Sequence, residues 1–253
     1  MKVSLITVCF RSASVIRTAI ESVLAQKGVD VDYIVVDGGS NDGTVEILND
    51  YESKFAGRMR WISERDEGMY DALNKGIKMA KGDVVGILNA DDILEDENTL
   101  AFIASSFEPG VDCVYGDIRF VRGESKKTTR YYSSKRWRPW MHNWGFMPAH
   151  PSVYVRREVF DRIGGYKLGY DISADFEWMV RLLCKLRVKS RYLPRSIVTM
   201  RLGGKSTAGL KAMLKLNREN VRANRENGYF CCLPMMLPKY FFKIWGYIFR
   251  RTR

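Results

Sequence analysis

Acidic side chains recur where apolar runs of this chain end, and their types and spacing suit a nucleotide, a cation or proton transfer. Asn89-Ala90-Asp91-Asp92 follows the apolar run 84–88. Its oxygens fit a hard divalent cation, Mg²⁺ or Mn²⁺, whose other positions water or phosphate oxygens would fill. An N-cap by Asp91 or Asp92 accounts for the same residues. Asp37-Gly38-Gly39-Ser40 closes another apolar run. There Asp37 can accept from a base or ribose while Gly38 and Gly39 allow close backbone approach, or the four residues form a plain Asx turn. The polar run 66–76 carries Asp66, Tyr70, Asn74 and Lys75. It reads either as a sugar site, with Lys75 or Arg65 partnering phosphates, or as a loop and helix start. Asp175 and Glu177 open an apolar helical pattern, where either is a candidate general base or part of a capping box. His150, beside Pro151, is a ligand or an ordinary core residue.

The elements that must hold these groups alternate. Short β-branched runs at 3–9, 33–36, 59–63 and 84–88 have strand character, and apolar residues at helical spacing separate them: Ile16, Ala19, Ile20, Val23 and Leu24, then Val45, Ile47, Leu48 and Tyr51, then 70–80. Alternation of this kind predicts an α/β fold with a mainly parallel sheet, whose ligands sit beyond the carboxyl ends of the strands. The acid-bearing segments after the early strands fall at those ends. Further strands are expected at 111–117, 118–121 and 152–155, and helices at 157–163 and 176–186.

Of 253 residues, 46% are apolar and 28% charged, which excludes disordered, collagenous and low-complexity architectures. Five cysteines without a CxxC pair argue against a disulfide framework, and two histidines leave any metal to carboxylates. The N-terminus enters a strand pattern directly, so no secretory signal is expected. Charge is unevenly spread: residues 185–253 hold 17 Lys and Arg against Glu219 and Glu226, whereas the rest holds 24 against 27 acids. Lys211, Lys215, Arg218, Arg222 and Arg225 make a basic stripe down one helix face. The segment 229–249 is apolar but broken by Pro234, Pro238, Lys239 and Lys243. It falls short of the roughly 20 apolar residues a membrane span needs, so lying in a membrane interface is the expected arrangement.

In order, Ile6-Thr7-Val8-Cys9-Phe10-Arg11, Val36-Asp37-Gly38-Gly39-Ser40-Asn41-Asp42-Gly43-Thr44, the run Ser63 to Gly76, Leu88-Asn89-Ala90-Asp91-Asp92, His150-Pro151-Ser152, Gly164-Gly165-Tyr166 and Ala174-Asp175-Phe176-Glu177 resemble the family 2 glycosyltransferases. The likeness is to the bacterial branch that builds O-antigen, capsule and colanic acid. It implies a GT-A fold over residues 1–204, a Rossmann-like mixed sheet flanked by helices, with 205–253 as a basic amphipathic extension. By position it implies that Thr7, Cys9 and Arg11 line the nucleotide pocket, that Asp37 reads the base, commonly uracil, and that Asp66 lies by the donor. Asn89-Ala90-Asp91 takes the DxD position, with Asp91 on Mg²⁺ or Mn²⁺, and Asp175 is the catalytic base. Asn89 departs from the usual carboxylate, although an amide oxygen can hold the metal or ribose; Arg11 stands where Asn is common.

The activity so implied is inverting transfer from a nucleotide-sugar, a UDP-sugar first, to a hydroxyl of an undecaprenyl-diphosphate-linked glycan. The extension would hold the enzyme on the cytoplasmic face of the bacterial inner membrane. A nucleotide-sugar-binding protein without transferase activity and a nucleotidyltransferase are the alternatives. A nucleic-acid-binding module would leave the acids around Asp91 unexplained, so no nucleic-acid partner is expected.

Overall fold

In the computed structural model, residues 1–123, 127–201 and 209–241 are described. Among them nine strands form one sheet. Its first half comprises β1 (Lys2–Cys9), β2 (Asp30–Asp37), β3 (Met59–Ser63) and β4 (Val84–Ile87), in the spatial order β3-β2-β1-β4 with every pairing parallel. The helices α1 (Ile16–Leu24), α2 (Thr44–Glu52) and α3 (Met69–Met79) form the connections. Alternate side chains explain the layering. Leu5, Val31, Tyr33 and Val35 face α1 and α2, while Ile6, Ile34 and Val36 face α3. The chain steps outward from β1 to β3 and returns to β4 on the other side of β1, which opens a crevice at the ends of β1 and β4.

The second half is mixed. It contains β5 (Ile93–Leu94), α4 (Thr99–Ser105), β6 (Cys113–Val121), β7 (Thr128–Tyr132), β8 (Val153–Arg156), α5 (Glu158–Ile163), α6 (Ala174–Met179), β9 (Ser190–Arg201) and α7 (Leu210–Glu226). The sheet continues β4-β8-β6-β9-β5, with β7 beside β6. The two strands expected at 111–121 are one strand. β9 escaped the pattern because SRYLPRSIVTMR carries Pro194 and three arginines. Its register against β6 jumps from Tyr115↔Tyr192 to Asp117↔Ser196, so Pro194, which has no N–H to donate, sits in the irregularity. The helix expected at 176–186 is α6 followed by a π-helical turn, Val180–Lys185.

Gly86 of β4 sits opposite Tyr154 of β8, and a Cβ on it would lie 2.1 Å from the tyrosine ring. Tyr154 is wholly enclosed and cannot swing away. Gly86→Ala is therefore expected to lower stability by about 1–3 kcal/mol, the usual cost of overpacking, read as an earlier urea midpoint at unchanged slope. An unchanged midpoint would mean that the ring relaxes freely.

The boundary placed at residue 204 and the aromatic run 242–249 lie outside the described residues. Within them, α7 is docked on the body. Asn217, Asn220, Val221, Ala223, Asn224 and Asn227 are buried, and Asn224 bonds His142 while its amide donates to the His142 carbonyl at 3.3 Å. The basic stripe is partly spent inside the protein too. Lys215 pairs with Asp171, Arg222 reaches Glu226 at 2.6 Å and lies over Tyr170, and Arg225 donates to the Cys231 carbonyl at 3.0 Å. No described helix is long and apolar enough to cross a membrane.

Candidate active site

The loop after β2 is built around Asp37. Its Oδ2 accepts from the backbone N–H of Gly39 (3.1 Å) and Ser40 (2.8 Å) and from the Ser63 hydroxyl (2.7 Å), and its Oδ1 accepts from the Ser40 hydroxyl (2.5 Å) and the Cys9 thiol (3.5 Å). Asp37 is 0% exposed. This is the Asx-turn arrangement, with Gly39 at φ +79°: an enclosed carboxylate that already holds five donors shapes the turn where base reading is expected. Thr7, expected to line the nucleotide pocket, is enclosed and accepts from the Tyr33 hydroxyl at 3.1 Å. Cys9 is buried, and burial followed by the Asp37 charge pushes its thiol far up, keeping it protonated. Arg11 stands exposed at φ +51°, its N–H donating to the Ser40 hydroxyl at 2.7 Å, and thereby ties the β1 loop to the β2 loop.

The run 64–75 closes over this loop. A Cβ at Gly38 would lie 2.6 Å from Asp66 Oδ2, so the glycine is what lets Asp66 approach. Asp66 Oδ1 accepts from the Gly68 N–H at 2.8 Å. Lys75 braces the run through Glu64 (2.8 Å), Asp71 (3.5 Å) and the Arg65 carbonyl (3.1 Å). Asn74, expected to meet the donor, has both ends of its amide on the Tyr166 backbone, each at 2.8 Å. It clasps α3 to the Gly164-Gly165-Tyr166 turn.

That turn leads to the base candidate. Asp175, in the first turn of α6, is half-buried; its Oδ1 accepts from the Phe176 N–H at 2.7 Å and the Tyr70 hydroxyl at 3.3 Å. Burial pushes its carboxyl above the ordinary range, with His150 opposing the rise. Burial lowers His150 in turn, and its Nε2 meets the Tyr166 hydroxyl at 2.8 Å. Glu177, the other candidate, is 0% exposed, and its oxygens are held by Arg181 (2.9 Å), Lys167 (3.0 Å) and Asn227 (3.1 Å). One residue that sequence reasoning missed is Glu219 of α7. Its carboxylate accepts from the N–H groups of Asp171 (3.1 Å), Ile172 (2.9 Å) and Ser173 (2.9 Å), the stretch that leads into α6, and Tyr70 donates to the Ile172 carbonyl at 2.5 Å. The signal was available: Asn217, Asn220, Asn224 and Asn227 fall on one helix face, beside Glu219.

Beyond β4, Asn89 donates to Asp92 Oδ2 at 2.8 Å, and Ala90 is buried. Asp92 is enclosed, its Oδ1 has no hydrogen-bond partner, and burial with the Asp91 charge pushes it up to about 8. Asp91 is half-exposed and makes no hydrogen bond or ion pair among the described residues. No three His, Cys, Asp or Glu side chains among those residues form a cation site. A free carboxylate beside an amide nevertheless fits Mg²⁺ or Mn²⁺ if a diphosphate and water supply the remaining oxygens. The turn His150–Ser152 packs against β4, so the end of that strand and the Asp175 surroundings are neighbours.

A curled α/β sheet with acids gathered at its strand ends is the architecture of a GT-A glycosyltransferase. The family model "Glycosyl transferase family 2" matches residues 4–169, and the chain belongs to that family. A PGL/p-HBAD biosynthesis glycosyltransferase of Mycobacterium bovis is 31% identical over 198 residues, covering 75% of this chain and 73% of the relative. Among solved structures, S. aureus TarS in complex with UDP-GlcNAc has a TM-score of 0.67 at 16% identity, covering 100% of this chain and 74% of that one. The mannosyltransferase PcManGT of Pyrobaculum calidifontis, in complex with GDP-Man and Mn²⁺, has 0.66 at 16% identity, covering 97% and 72%. At such identities the structural likeness concerns the fold.

Proposed function

We propose that this glycosyltransferase moves a sugar, with inversion, from a UDP-sugar to a hydroxyl of a lipid-linked glycan, working against the cytoplasmic face of a bacterial inner membrane in cell-surface polysaccharide assembly. The observation that carries the reading is Asp175: a carboxyl raised by burial, steadied by Tyr70, beside a His150 that burial keeps neutral. A raised carboxyl is a stronger base, suited to taking a proton from an alcohol. As the hydroxyl oxygen bonds to the anomeric carbon, its proton passes to Asp175. The bond to the diphosphate breaks, and its electron pair leaves with the nucleotide. One displacement inverts the centre. Asp91, with the Asn89 amide oxygen, would hold Mg²⁺ or Mn²⁺, which supplies Lewis-acid stabilisation of the departing diphosphate. Asp66, which lies over the Gly38 turn, would stand beside the donor. Support for a nucleoside-diphosphate donor comes from the UDP-GlcNAc and GDP-Man complexes of the two solved neighbours.

The test is a panel of UDP-, GDP- and dTDP-sugars with Mg²⁺ or Mn²⁺, reading nucleoside diphosphate release. One donor should stand out. With it, Asp91→Ala should lose about 10²-fold in turnover and most of its response to added metal, given the several kcal/mol such an ion supplies. Release from no sugar under either metal would defeat the reading.

A further inference from the structure

One side of α7 grips the body; the other forms part of a cleft of about 630 Å³. Arg218, Arg222 and Arg225 line one wall, at spacings that set them on a single helix face. Leu233 and Pro234, from the turn Leu233–Met236, contribute the apolar part. Arg218 makes no hydrogen bond or ion pair among the described residues, so its guanidinium is available to a ligand. The acid at the cleft, Glu226, is already met by Arg222, by Lys167 at 3.1 Å and by the Tyr170 hydroxyl at 3.0 Å. What it leaves is a positively charged recess.

Its surroundings are greasy. Phe230 is 78% exposed and Leu237 63%, with Leu233 also exposed. The turn Pro139–Trp144 packs against the turn Leu233–Met236 and adds Trp140, itself 63% exposed, and Trp144. Large apolar side chains rarely collect on a surface without a partner, and tryptophan favours the boundary between water and hydrocarbon. A free phosphate would use the arginines and gain nothing from Phe230, Leu237 or Trp140. An anionic bilayer uses both, placing phosphate headgroups on the basic wall and acyl chains against the apolar residues.

We propose that the cleft between α7 and the turn Leu233–Met236, with Trp140, Phe230 and Leu237 around it, is a docking face for the phosphate headgroups of an anionic lipid bilayer. This deepens the reading that the acceptor is held at a membrane. Its test reads binding and not transfer, so the two fail separately.

The full chain is floated with phosphatidylcholine vesicles with or without phosphatidylglycerol. Binding is expected only with phosphatidylglycerol, accompanied by a blue shift of tryptophan emission. Each basic charge near such a surface is worth about fivefold in binding. Arg218→Glu should therefore weaken it by more than tenfold, and Phe230→Ser combined with Leu237→Ser should reduce both binding and blue shift. Nucleoside diphosphate release by these variants should match the parent, which certifies their fold. Four results would each overturn the proposal: no binding by the parent chain, equal binding to neutral vesicles, indifference to Arg218→Glu, or full competition by inorganic phosphate, which would mark a soluble-anion site. Retention on single-stranded DNA with the same dependence on Arg218 would reassign the face to nucleic acid.

Discussion

Asp175→Asn should lower turnover by about 10²–10⁴-fold while leaving nucleotide-sugar affinity near the parent value. The amide keeps the shape of the side chain, can still accept from the Phe176 N–H and Tyr70, and loses only the ability to take a proton. Because burial raises the Asp175 carboxyl, it stays protonated to a higher pH than an exposed aspartate. Activity should therefore climb as pH rises through that raised value, with an acid limb above the usual carboxylate range, and Asp175→Asn should flatten the limb. Near-normal transfer by the asparagine variant, with donor binding intact by calorimetry, would move the base elsewhere.

The second large effect is expected from a residue that touches no reactant. Glu219→Ala leaves three backbone N–H groups, those of Asp171, Ile172 and Ser173, without their acceptor. Each buried donor left unpaired costs about 1–3 kcal/mol unless the loop shifts toward water, and a shift carries Asp175 with it. Turnover should fall by at least about tenfold with little change in donor KM, and the acid limb should move toward the ordinary carboxylate range as Asp175 becomes wetter. Glu219→Gln retains one acceptor oxygen and should fall between the two. A lower melting temperature with unchanged turnover and pH profile would reduce Glu219 to a purely structural role.

The first four strands and three helices were legible because their apolar periodicities are clean and the acidic turns punctuate them. What sequence could not show is how far each polar group is already spent. Asp37 and Asp66 carry the same functional group, yet five donors saturate the first. Asp175 and Glu177 stand two residues apart and face different worlds, one a half-buried pocket of tyrosines and His150, the other a knot of Arg181 one turn on, Lys167 and the distant Asn227. The tail was legible only in part for a related reason. Its cationic stripe was conspicuous, while the face that settles its position is made of asparagines, which a search for apolar helix faces passes over.

The family match ends at residue 169, two positions before the stretch that Glu219 ties down. A gene fragment trimmed to the matched module would thus lose Asp175 itself, together with Glu219, which holds the stretch leading into its helix. Chimeras that borrow a tail from a relative would need their seam beyond residue 227, where the last buried asparagine of that helix face has been passed.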